Sequence, residues 1–174
     1  QVIPPGVDLS RFSPPGVSWP RPTIAAELDR FLTDSGKPMV LALARADERK
    51  NFEGLVRAFG ETEGLREMAN LIIIAGNRDD IAEMSAGQRR VLTHILSLID
   101  RDDLYGSVAY PKHHDPTDVP ELYRLAAQTK GLFVNPALTE PVGLTVPAAG
   151  ATGVPLGAPN HRTPHGNTDP SPNG

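Results

Sequence analysis

The sequence predicts an α/β domain built on a parallel β-sheet with helices on both faces. Two observations carry this. The apolar runs are short and lack the polar alternation of a half-exposed sheet: Met39–Ala44, Leu71–Ala75, Ser107–Tyr110, Leu132–Asn135 and a weaker Val154–Gly157. Strands covered on both faces read this way. Between the runs lie helical patterns. Strands alternating with helices imply right-handed crossovers and a doubly wound sheet.

The elements follow in order. Residues 1–22 carry Pro4, Pro5, Pro14, Pro15, Pro20 and Pro22 and read as an extended lead-in, with Trp19 as a packing anchor. Residues 23–157 hold the alternating strands and helices. After the first strand, Asn51 is placed to cap a helix carrying Leu55, Val56 and Phe59. After the second, Ser85 and Gln88 have the spacing of a capping box ahead of Val91, Leu92, Ile95, Leu96 and Ile99. Asp118 and Glu121 repeat that spacing ahead of Leu122, Leu125 and Ala126. Pro120 falls in that helix's first turn, where a missing N–H costs little. Residues 158–174 are almost wholly turn formers and read as an irregular or disordered tail.

The 174 residues suit one domain with a sizeable core. The net charge of −4, with both signs mixed, argues against a nucleic-acid partner. With no cysteine there is neither a disulfide nor a cysteine-ligated zinc. No apolar run reaches the length of about 18 residues that a membrane span needs. The chain begins at Gln1 and is expected to be an excerpt of a longer, soluble, cytoplasmic protein.

Open α/β sheets bind ligands beyond the carboxyl ends of their strands. The turn after the first strand carries Arg45 and Lys50 at its two ends. Arginine offers a planar fork to phosphate oxygens, lysine adds a point charge, and a helix N-terminus nearby supplies free N–H groups. These parts suit a diphosphate, against the plainer alternative of a solvated charged loop. After the fourth strand, Gly143 would let a ligand approach the backbone, and the N–H groups of Gly143, Leu144 and Thr145 could face an anion. Glu140 could accept hydrogen bonds from sugar hydroxyls, or merely complement a helix N-terminus.

The segment Tyr110-Pro111-Lys112-His113-His114 pairs two histidines. Adjacent side chains on an extended segment point apart, so a polar loop beside the site is preferred to a metal centre. Gly76-Asn77-Arg78-Asp79 reads on its own as a turn after a strand, and His161 and His165 as tail residues. No GxSxG, P-loop or GxGxxG pattern is present.

Taken together, several segments resemble a known family. They are Lys37–Arg45 with Lys50-Asn51, Leu71–Asp79, Asp103–Gly106, Tyr110–His114, Asp118–Pro120, Leu122–Ala127 and Asn135–Ala137, together with the lead-in Val2–Asp8. Over about residues 1–157 the chain resembles the sucrose-phosphate synthases among the retaining GT-B glycosyltransferases, more than sucrose synthase. The resemblance implies a Rossmann-like donor domain, the second of two. It implies transfer of glucose from UDP-glucose to fructose 6-phosphate with retention, in a cleft between the domains. Arg45 and Lys50 would hold the diphosphate, Glu140 the glucose hydroxyls, and the backbone at Gly143, Leu144 and Thr145 would assist. Asn77, Arg78, Tyr110 and Lys112 would lie near the nucleotide. The resemblance implies no tightly bound cofactor or metal, and leaves use of Mg²⁺ open. The partner would be the acceptor domain that precedes this one, without which the chain is not expected to turn over sugar.

The sequence also departs from that family. Ala148 stands where its second conserved acid should hold the ribose, Pro147 and Gly150 threaten the helix there, and Val142 replaces an expected Phe. His161–Gly174 are expected to match nothing in the family. Two alternatives are therefore kept: a degenerate Rossmann-like domain with a structural or interaction role, and a sucrose synthase-like or other sugar transferase.

Overall fold

The computed structural model describes residues 10–137 and 145–157. Glu140, Gly143, Leu144 and the 158–174 tail lie outside the described residues.

The elements run α1 (Ile24–Asp29), β1 (Met39–Leu43), α2 (Phe52–Glu61), α3 (Leu65–Met68), β2 (Asn70–Ile74), α4 (Ala86–Arg101), β3 (Val108–Ala109), α5 (Asp118–Gln128), β4 (Leu132–Val134), α6 (Thr145–Ala151) and β5 (Leu156–Gly157). The five strands form one sheet in the order β3-β2-β1-β4-β5, parallel throughout. The register pairs Leu41 with Ile72 and with Phe133, so β1 is the central strand.

Side chains alternate across the sheet with the period of two that strands impose. Leu41, Ile72, Ile74 and Phe133 face α1, α5 and α6 in one apolar cluster. Ala42, Leu71 and Ile73 face α2 and α4 in the other. Both faces are thus covered, which is why no polar residue alternates within the runs. The chain passes close to β1 at Gly131, just before β4. A Cβ there would land on the Met39 backbone.

The strand runs are found where the sequence places them, each shorter at one or both ends, except that β2 starts one residue earlier, at Asn70. Several helical expectations need correction. In α4, Leu98 is buried and Leu96 only half so, because a 3.6-residue period carries the buried face from Ile95 to Leu98 and Ile99. Ser85 does accept from the Gln88 N–H, at 3.5 Å, but its hydroxyl bonds the Gln88 side chain. Asp118 and Glu121 form no capping box. Asp118 is already helical, Thr117 precedes it without a side-chain bond, and Asp118 accepts from the Asp115 N–H at 2.7 Å.

Glu121 is instead taken up by the lead-in. It accepts from Trp19 Nε1 at 2.9 Å and pairs with Arg124. Arg124 in turn donates to the carbonyls of Arg11 and Ser13. Trp19 and Phe12 pack on the α5 face, where Phe12 meets the Tyr123 ring edge-on.

Pro147 and Gly150 do not prevent α6. Pro147 is the third residue of that helix, where a backbone N–H has no intrahelical acceptor to lose. Ala148 and Ala149 are buried in the first cluster. Among the described residues, no helix is long and apolar enough to cross a membrane.

Candidate functional site

The strand order reverses between β1 and β4, since successive crossovers lead away from β1 on one side and from β4 on the other. Doubly wound sheets open a crevice there, at the carboxyl ends. A cleft of about 330 Å³ lies in that region. Leu43, Ala44, Arg45 and Lys50 line it from β1 and its following turn, Ile74 and Gly76 from β2, His114 from the segment after β3, and Asn135 from the end of β4.

The β1 turn is shaped by its own side chains. Extended Asp47 accepts from the Arg49 N–H at 2.9 Å and starts a 3₁₀ turn over Glu48–Lys50. The Arg49 guanidinium folds back onto the same carboxylate at 2.8 Å. That bond and the backbone N–H hold Asp47 well below the usual carboxylate range. Asn51 then takes a left-handed conformation, φ 52°, at the start of α2. It makes no side-chain cap bond there. Its amide donates to the Pro136 carbonyl at 3.2 Å, tying the β1 turn to the β4 turn. Gly54 leaves the room that this amide needs. With Arg49 occupied by Asp47, the turn presents exposed Arg45 and half-buried Lys50 to the cleft.

The facing wall is different. Asn77, Arg78 and Lys112 stand after β2 and β3, and their polar groups join those two segments to each other. Asn77 Nδ2 donates to the His114 carbonyl, and its Oδ1 accepts from the His114 N–H, each at 2.9 Å. Arg78 donates through Nη1 to Pro111 O at 3.2 Å and through Nη2 to Tyr110 O at 3.0 Å. Lys112 Nζ donates to Asp79 O at 2.9 Å. Tyr110 packs against the Phe31 ring with centroids 4.7 Å apart. None of these residues lines the cleft. The two histidines diverge: His113 turns to Asp79 at 3.3 Å, while His114 enters the cleft. Half-burial pushes His114 below its usual value against the opposing pull of Asp118 and Asp115.

Of the lining residues, His114 belongs to the segment that the sequence set beside the site, with no ligand role of its own, and Asn135 was not singled out as a ligand group. The available signal was the place of His114 beyond one apolar run and of Asn135 at the end of another. A second hollow, of about 390 Å³, lies between α2 and α4. Its charges answer one another, Glu48 with Arg90 at 2.7 Å and Glu53 with both His94 and Arg57 at 3.2 Å. Of the remaining expected site residues, Thr145 opens α6. Among the described residues no cluster of three or more His, Asp or Glu could hold a metal ion.

An open parallel sheet with a cleft at its switch point defines a doubly wound α/β domain. The chain belongs to the glycosyl transferases group 1 family, which it matches over residues 24–164. It is similar to sucrose-phosphate synthases. To "Probable sucrose-phosphate synthase 1" of Oryza sativa subsp. indica it is 54% identical over 94% of this chain and 16% of that protein. To sucrose-phosphate synthase of Zea mays it is 60% identical over 82% of this chain and 13% of that protein. The chain thus spans well under a fifth of the curated relatives' length. Among solved structures, sucrose-phosphate synthase from Thermosynechococcus elongatus superposes with a TM-score of 0.65 and 27% identity, over 91% of this chain and 34% of that one. The C-terminal domain of a group 1 glycosyl transferase from Francisella tularensis does so at 0.60 and 16% identity, over 88% of this chain and 70% of that one, a likeness of fold.

Proposed function

We propose that this chain is the donor-binding domain of a sucrose-phosphate synthase, and that UDP-glucose binds in the cleft at the carboxyl ends of β1, β2 and β4. One observation carries this: Arg45 and Lys50, from the two ends of one turn, line the same cleft at the switch point. Two cations on a rigid turn suit a diphosphate, the arginine as a fork and the lysine as a point charge. When the bond from the sugar's anomeric carbon to the diphosphate breaks, the electron pair leaves with UDP. Fixed cations beside that developing charge lower the barrier without reorganising. Glu140 and the backbone at Gly143 and Leu144, outside the described residues, keep the roles that the resemblance implies. In the parent enzyme the acceptor is fructose 6-phosphate, held by a preceding domain, and the product is sucrose 6-phosphate.

A second reading, a domain that keeps the fold without the ligand, is favoured by Ala148. Its methyl is 5% exposed and belongs to the core. Calorimetric titration with UDP separates the two. Micromolar to millimolar binding by wild type that Arg45→Ala weakens about tenfold or more supports the donor site, since a bond to a charged group contributes about 1.5–3 kcal/mol. A folded chain that binds no UDP supports the second reading.

A further inference from the structure

The cleft wall opposite the two cations is held by side chains that never reach the cleft. The Asn77 amide bonds both the N–H and the C=O of His114, as a neighbouring strand would. That pins the backbone of one residue from both sides. Arg78 is 7% exposed, and its guanidinium bridges two successive carbonyls, Tyr110 and Pro111. Its own N–H bonds the Lys112 carbonyl at 2.9 Å. Burying a guanidinium is costly, and no carboxylate accepts from it here. A surface turn could be closed more cheaply. The rigid planar fork of arginine spans two carbonyls where a lysine could not. Of the segment so fixed, His114 is the one residue that lines the cleft, which Arg45 and Lys50 line as well.

We propose that His114 is a ligand-contacting residue of the donor cleft, and that Asn77 and Arg78 are positioning residues that act through it by locking segment 110–114 onto the turn at 76–79. This rests on the reading of the cleft as a donor site. A half-buried imidazole with its charge disfavoured is neutral at pH 7 and offers one donor and one acceptor. It would hydrogen-bond the donor without adding to the positive charge of the other wall. Burial opposes its protonation, and Asp118 and Asp115 favour it.

The test uses the whole chain, UDP as probe, and calorimetry alongside NMR of the His114 ring. His114→Ala is expected to weaken UDP about fivefold, as loss of one neutral hydrogen bond of about 1 kcal/mol would. Its thermal midpoint should stay close to wild type. Asn77→Ala is expected to weaken UDP to a similar extent and to move the His114 ring resonances and titration midpoint towards those of a free histidine. The double variant should bind no more weakly than His114→Ala alone, because the two residues act as one unit. Arg78→Lys, which keeps the charge and loses the fork, should shift the same resonances and serves if Asn77→Ala does not fold. If Arg45→Ala weakens UDP while His114→Ala binds like wild type, this inference falls and the donor site stands. A further loss on adding Asn77→Ala to His114→Ala would make Asn77 a ligand contact and overturn its positioning role. If the folded wild type binds no UDP, the donor site falls and this inference with it.

Discussion

The two walls of the cleft use the same residue types for opposite ends. On the β1 side, Arg49 closes the turn by folding onto Asp47, and Arg45 and Lys50 are left facing the cleft. On the other side, Asn77, Arg78 and Lys112 are all engaged with backbone carbonyls of the partner segment, and a single imidazole faces inward. Under the proposed function, the two cations of the closed turn serve ligand binding more than stability. Arg78, the buried member of the other set, joins two segments and serves stability instead, while Asn77 and Lys112 join them from exposed positions. Position after a strand therefore marks a residue as near the site without saying which of these it does.

Substitutions can break this contrast, beginning with the largest expected effect. Arg78→Met leaves the Tyr110 and Pro111 carbonyls without their donor and should destabilise the fold by about 3 kcal/mol in urea unfolding. A loss within about 0.5 kcal/mol, as at ordinary surface sites, would erase the distinction between the walls. Arg45→Ala should show the mirror image: about 2 kcal/mol lost in UDP affinity, with a midpoint of unfolding that barely moves. Asn51→Ala removes the bond from the β1 turn to Pro136 and should cost about 1 kcal/mol, read from the same unfolding curves.

The smallest effect sharpens the contrast from outside the cleft. Glu53 is held below its ordinary carboxylate value of 4.5 by its hydrogen bond with His94, and further by Arg57. A depressed folded value means that the contact stabilises above pH 4.5 and is lost as pH falls through the folded value. Both side chains are about half exposed, which limits the contribution to about 0.3 kcal/mol. Stability measured from pH 6 downward should fall slightly less steeply in His94→Ala than in wild type, where about pH 6 keeps carboxylates ionised.

Much of the fold was legible because burial on both faces leaves a direct imprint on composition. The runs at Met39, Leu71 and Leu132 are apolar at every position that two helical layers must cover. The ends were less legible: Ala44 and Ala75 continue an apolar run past the last paired residues, Leu43 and Ile74. Arg45 and Lys50 could be read as neighbours at one cleft, because a turn of a few residues leaves them nowhere else to be. Asn77, Arg78 and Lys112 carried the same signature but meet partners more than thirty positions away. Local spacing holds no record of such meetings. Glu121 shows the same failure in miniature. Its spacing from Asp118 fits a capping box, yet Trp19 and Arg124 claim its carboxylate.

By itself the sequence determined the layered α/β class, the order of strands and helices along the chain, and the turn that carries Arg45 and Lys50. Those follow from periodicity and short-range sterics, which act over a few residues. Only the tertiary structure decided that β1 lies at the centre of the sheet, that His114 and Asn135 share a cleft with the two cations, and that Asn77 and Arg78 serve the segment after β3. Those depend on which side chains meet when distant segments pack, and each bond made there engages a polar group that local spacing leaves uncommitted.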